Sequence, residues 1–447
     1  MTDELGRWDA VETRDRLREG DVSAAEVIDA AIARAEAARD LNAVVTDSFA
    51  HARARAGRTS GLLAGVPTFI KDLARTEGVR TRWGTLASGH HVPTKSDPIV
   101  STLEATGLVS LGKSATPELG LTGTTEPLGM PPCRNPHDPE RSTGGSSGGA
   151  GALVAAGVVP IAHGSDGGGS IRIPASCNGV VGLKVSRGRL DMEGSNLLPV
   201  NVAVDGCLTR TVRDTVAFWE AVAPAGPSMT PRDEPPKLRI AAFSDAPTGT
   251  PVHADHRRAV HDAAEACRAI GHQVTTIPSP FEGRVIDDFL LYWRLIAWGQ
   301  KVGARLLMHR RFDASKLDPW TKGLAASWKK DPLAVMQATR RLRRFGARYE
   351  AVMRDYDVVL SPVTAAPPPV HGWLAPDQPF ERHFDRLRTY LPFTAIQNVA
   401  GAPALSLPLG KSEGGMPVGV QLAGRVNEER TLLGLGLALE RSIGFAP

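Results

Sequence analysis

The sequence predicts an α/β fold built as one large domain, and three observations carry that expectation. From residue 61 to about 188, short β-branched or apolar runs ("AGVPTFI", "GLVSLGK", "VVPIAHG", "GVVGLKV") alternate with Gly/Ser/Pro loops and helical patterns. Further along, "LRIAAF", "HADHRRAVHDAAEACRAIG" and "HQVTTIP" make a strand-helix-strand unit. Strand-like segments also stand near both ends of the chain, where a single sheet can take them. Length alone, 447 residues, suggests about three domains; the spread of strands argues for one.

The elements follow in order. Residues 23–58 read as an amphipathic helix pair, opened by Ser23 with Glu26 three residues later, a capping-box pattern ahead of Val27, Ile28, Ala31 and Ile32. The Gly-rich loops of the next segment are where function is expected. "AGPSMTPRDEPPK", residues 225–237, reads as a Pro-rich surface connector. Residues 282–355 read as mostly helical, with several Trp and Arg. "DYDVVLSPV" returns as a buried strand, "PALSLPLG" and "PVGVQLAG" as a strand pair, and "EERTLLGLGLALERSIG" as a closing helix. No repeat at solenoid periods is visible.

Composition excludes several classes. The hydrophobic share of 42% and charged share of 22% are those of an ordinary globular protein. The net charge of +4 arises from 52 basic and 48 acidic residues, with arginines scattered over helical patterns such as "RRLRRFGARYE" and aromatics at 5%. That is no footprint for nucleic acid. Cys133, Cys177, Cys207 and Cys267 lie too far apart for metal spacing and read as buried free thiols. The charged start of the chain lacks a signal peptide's apolar core, and "GALVAAGVVPIA" is well short of the ~18–20 apolar residues of a membrane span. No membrane partner and a cytoplasmic location are expected.

Two short motifs are decoys. "GLVSLGKS", residues 107–114, spells a phosphate-binding loop, but the residues between its glycines are themselves the strand and Pro117 interrupts any following helix. "GSSGG", residues 145–149, spells a nucleophile elbow around Ser147, with His371 or His383 as base, yet only loop precedes it. A lone loop histidine reads more readily as a solvated surface residue. Nor is "STGGSSGGAGALVAAG" a plain linker, since it turns into a helix within two residues.

Three segments need a joint explanation: "GVPTFIKDL" with Lys71, "STGGSSGGAG" with Ser146 and Ser147, and "GSDGGGSIRIPAS" with Ser170. Serine is a weak nucleophile until a base takes its proton. A lysine serves once burial lowers its pKa toward neutrality, and Lys71 follows an apolar strand. Together the segments supply the parts of a hydrolase that uses no histidine.

These segments resemble the amidase signature family. The likeness continues through "GKSATPELGLTGTTEP", "RNPHDPERSTGGSSGG", "GSDGGGSIRIPASCNGVVGLKVSRGR", "DGCLTRTVRD", "DVVLSP" and "NVAGAPALSLPLG" with "GMPVGVQLAG", over essentially the whole chain. The resemblance implies a single domain, residues 1–447, with residues 61–190 as catalytic core and 282–355 contributing to the pocket. It implies a central mixed, mostly parallel sheet with helices on both faces. It also implies Ser170 as nucleophile, Lys71 as base, and Ser146 between them, preceded by a cis peptide at Gly145. Gly167, Gly168 and Gly169, with the Ser170 N–H, form the implied oxyanion hole. Asp166 and Arg172 brace that loop, and Ser147 bonds nearby backbone.

Gly123 and Thr124 are expected, on resemblance alone, to line the acyl side. For Trp293, Trp298, Trp320 and Trp328, pocket lining and core packing both stay open. Arg82, Trp83 and Gly167 stand where many relatives carry Thr or Gly, a departure shared with the subgroup of aryl-acylamidases, cyclic amide oligomer hydrolases and enzymes accepting carbamates. The expected activity is amide C–N hydrolysis through an acyl-serine, with no metal or organic cofactor, on a small-molecule amide or carbamate, by a monomer or homodimer. A carbamate (urethane) hydrolase and a partner-dependent amidotransferase subunit are the alternatives.

Overall fold

Helix starts follow the capping chemistry of the sequence. In the computed structural model of the protein, which describes residues 4–190, 192–222, 228–232 and 236–445, the helix Ala24–Ala37 opens on the expected capping box. Ser23 Oγ accepts from Glu26 N–H at 3.2 Å and the Glu26 carboxylate accepts from Ser23 N–H at 2.9 Å. The expected second helix is shorter, Phe49–Arg55, because the β-branched "VVT" makes a strand, Val44–Asp47 (β1), after Asn42 turns the chain at φ 54°.

Strands Pro67–Lys71 (β2) and Val109–Ser114 (β3) complete a three-stranded sheet with β3 central. Arg134–Asn135 (β4) and Asp138–Ser142 (β5) pair with each other. The other eight strands form one sheet: Ile161–Asp166 (β6), Val181–Lys184 (β7), Val204–Thr209 (β8), Arg239–Ala242 (β9), Gln273–Thr276 (β10), Val358–Pro362 (β11), Ala404–Lys411 (β12) and Pro417–Gly424 (β13), in the order β10-β9-β11-β13-β12-β7-β8-β6.

Two expectations are corrected. The strands near the N-terminus keep their own sheet, and the large sheet is mixed but mostly antiparallel: among the described pairings of that sheet, only β10-β9 and β9-β11 are parallel. The reason lies in strand order. β6 and β7, joined by the helix Arg172–Asn178, do run the same way, but β8 inserts between them antiparallel to both. β12 and β13 form the expected antiparallel pair.

Helices do cover both faces, and the pleat shows it. Ile240, Ala242, Val358 and Leu360 share one core with the helices Val212–Val222, Ala254–Ala269 and Glu429–Ile443. The intervening Ala241 and Val359 point into another, built with the helices Arg284–Leu307 and Pro332–Val352. These two helices and Pro319–Ser327 make up the expected helical segment. The connector at 225–237 lies partly outside the described residues. All four cysteines are free and buried, and no helix among the described residues is long and apolar enough to cross a membrane. The phosphate-loop decoy is strand: Lys113 lies inside β3, donates to the Ala74 carbonyl, and has Nζ 3.7 Å from Asp72 Oδ1.

Candidate active site

Strand β2 delivers Lys71 to the interior at its last residue, fully buried. Nζ lies 2.8 Å from Ser146 Oγ, 3.0 Å from Ser165 Oγ and 3.4 Å from the Ser165 carbonyl. A neutral amine has two N–H donors and one lone pair. As an ammonium Lys71 donates to Ser146 Oγ as well; as a neutral amine with both donors given to Ser165 it would leave its lone pair for the Ser146 hydroxyl. Burial lowers the Lys71 pKa to about 7, against the pull of the Asp205 and then the Asp166 carboxylates, which favour the ammonium.

The loop after β5 carries Ser146 into the same space. The Gly145–Ser146 peptide is cis, as expected. A Cβ on Gly145 would stand 2.6 Å from the Thr124 carbonyl oxygen, so only glycine fits there. Ser147 opens the helix Gly148–Ala155; its Oγ donates to Ser165 O and accepts from Ser165 N–H, both at 3.3 Å, which is the backbone role expected of it.

Strand β6 ends in Asp166, and the loop Gly167-Gly168-Gly169-Ser170 leads into the helix Arg172–Asn178. Asp166 and Arg172 are both wholly buried and paired side-on: Nε to Oδ2 and Nη2 to Oδ1, each 3.0 Å. The rest of the guanidinium is satisfied by residues far along the chain, Gln397 at 3.2 Å, Gln421 at 2.6 Å and Asn398 at 2.6 Å. Burial would raise the Asp166 carboxyl, but Arg172 and the Asn398 amide outweigh it and hold it well below the usual carboxylate range.

One oxyanion assignment is corrected. The Gly169 N–H points at Asp166 Oδ1, 2.7 Å away, and is not available to an incoming oxyanion. Gly169 instead shapes the loop, at φ 125°, where a Cβ would meet Thr394 Oγ1 at 2.3 Å. The N–H groups of Gly167, Gly168 and Ser170 have no protein partner among the described residues. Thr394 Oγ1 donates to the Gly168 carbonyl at 2.6 Å and so fixes which way that peptide faces. Ser170 is half-buried, whereas Ser146 and Lys71 are buried. Its carbonyl accepts from Ser147 N–H at 3.2 Å, tying the two serine loops together.

The remaining candidates separate. Thr124 is wholly buried behind Gly145 with its hydroxyl on the Leu374 carbonyl (3.3 Å), and Gly123 packs against Leu391. Trp293 and Trp320 both donate to the Leu121 carbonyl at 3.1 Å. Trp293 stacks on Phe289, and these two rings lie over Gly167 and Gly168, whereas Trp298 packs on Trp328 at 4.7 Å. His383 is no surface histidine: it is buried, stacked 4.0 Å from Trp320 and bonded to Thr122, and burial lowers its pKa to about 4. Half-buried His371 lies 3.8 Å from Glu126. Trp83, at φ 52°, is buried and stacks with His91 and His309.

Sequence reasoning missed Ser165, although it lies inside the quoted Gly/Ser motif, one residue before Asp166. It also missed His163, Asp205, Thr394, Gln397, Asn398 and Gln421. His163 and Asp205 are polar residues inside fully buried strands, and a histidine and a carboxylate in such strands were the available signal.

The chain is similar to known proteins along nearly its whole length. The Amidase family model matches residues 26–433. A Mycobacterium tuberculosis protein provisionally named amidase AmiC is 41% identical over 465 residues, covering 100% of this chain and 97% of its own length. The 6-aminohexanoate-cyclic-dimer hydrolase of Paenarthrobacter ureafaciens is 31% identical over 477 residues, covering 97% and 94%. A solved structure of 6-aminohexanoate cyclic dimer hydrolase superposes with a TM-score of 0.90 at 30% identity, covering 98% of this chain and 97% of that one.

Proposed function

Since this chain belongs to the amidase signature family, whose members hydrolyse amide C–N bonds, we propose that it cleaves a carboxylic amide through an acyl-serine on Ser170, with Ser146 and Lys71 as proton relay. The observation that carries the reading is the Lys71 amine, buried, lowered toward neutrality and 2.8 Å from Ser146 Oγ. Neutral Lys71 accepts the Ser146 proton as Ser146 accepts that of Ser170, and the Ser170 oxygen attacks the amide carbonyl. The tetrahedral oxyanion forms against the unpaired N–H groups of Gly167, Gly168 and Ser170. The relay runs back to protonate the leaving amine, and water activated by the same relay releases the acid.

The relatives named as cyclic-dimer hydrolases support a small-molecule amide as substrate. A panel of aryl amides, aliphatic and cyclic amides, and carbamates tests that range; turnover of amides by the purified chain without a partner supports the reading, and turnover of carbamates but not amides overturns it.

The pH dependence has a defined sign. The base must be neutral, so kcat/KM is flat above the Lys71 pKa of about 7 and falls about tenfold per pH unit below it. A profile flat from about pH 5 to 9 contradicts a neutral-lysine base.

A further inference from the structure

Behind Lys71 stand two polar residues that the relay does not use. The pleat of β6 puts His163 and Ser165 on one face, and the antiparallel register sets Asp205 of β8 opposite Ser165. His163 Nδ1 accepts the Lys71 backbone N–H at 3.2 Å, and Nε2 lies 3.1 Å from Asp205 Oδ1. A backbone N–H only donates, so Nδ1 carries the lone pair and the ring proton sits on Nε2, shared with Asp205. Imidazole and carboxylate are both buried, so β2 is held to the edge of the large sheet at the residue that carries the amine. A neutral imidazole leaves the Asp205 charge intact.

We propose that His163 and Asp205 are positioning residues for Lys71: the imidazole anchors its peptide, and the Asp205 carboxylate supplies a negative charge across the strand pair from Ser165, which holds the amine. The proposal rests on the reading of Lys71 as base. Its weight comes from what else faces Nζ. Ser146 and Ser165 are uncharged; Asp166 on β6 is paired with Arg172; and Asp72, next in the chain, lies beside Lys113. Asp205 is therefore the carboxylate near the amine whose described partner is a neutral group. It is also the larger of the two charges holding the ammonium form up against burial.

Two variants separate charge from position. Asp205→Asn removes the charge, so the acid limb of kcat/KM moves to lower pH by about one unit, while the weakened base lowers the plateau several-fold; Asp205→Glu returns the limb toward its place. In His163→Gln the amide nitrogen takes the place of Nε2 on Asp205 and leaves no acceptor at the Nδ1 position for the Lys71 N–H, so kcat falls with KM and the acid limb unchanged. A folded Asp205→Asn enzyme with the wild-type limb overturns the proposal. If that variant does not fold, His163→Gln decides: wild-type kcat overturns the proposal, and a kcat loss at constant KM supports it. Failure of the underlying reading looks different, because the wild-type enzyme itself then shows no acid limb.

Discussion

Ser170→Ala is expected to leave a folded protein whose kcat is lower by on the order of 10⁶-fold, the scale seen when a serine nucleophile is removed. The loss is large because no other group takes its place. Ser146 is buried and engaged with Lys71, and Ser147 is turned to the Ser165 backbone. The fold should survive, since no described hydrogen bond uses Ser170 Oγ; its carbonyl, which holds Ser147 N–H, is unaffected by the substitution. The check is kcat on an anilide beside a thermal melt. Turnover within tenfold of wild type would remove Ser170 from the mechanism.

The largest expected effect on stability comes from Arg172→Met. The guanidinium is wholly buried and bonded to Asp166, Gln397, Asn398 and Gln421, so its removal leaves a buried carboxylate without its counter-charge and the amide oxygens of Asn398 and Gln421 without a described donor. Breaking one side of such a buried pair costs about 3–5 kcal/mol. Asp166 in turn holds the Gly169 and Ile171 N–H groups, so the loop presenting Ser170 should loosen and kcat fall as well. A denaturant titration with a midpoint unchanged from wild type would show that the network is not structural.

The residues of the candidate site were legible because they are concentrated in three local motifs. Lys71, Ser146 and Ser170 each sit in a segment whose glycines and apolar flanks announce a shaped loop or buried strand, and the partners of the Asp166–Arg172 brace are six positions apart. What the sequence did not disclose are contacts between distant segments. Gln397, Asn398 and Gln421 converge on Arg172 from more than 220 residues away, and neither a periodicity nor a spacing marks them. Asp205 is linked to Lys71 through His163, and only the β6–β8 register brings it there. The mostly parallel sheet failed for the same reason: strand-helix-strand patterns fix the direction of β6 and β7 but not that β8 inserts between them. The Gly169 N–H shows a further limit, since a glycine run indicates close backbone approach without saying which amide a neighbouring carboxylate has already claimed.

The central claim is covalent: an acyl group passes through Ser170. Quenching the enzyme in acid during turnover of an activated aryl amide, followed by peptide mass spectrometry, tests it directly. The account predicts the added acyl mass on the peptide that contains Ser170, absent in Ser170→Ala. Acylation of Ser146 or Ser147 instead, or steady product formation by Ser170→Ala, would contradict it.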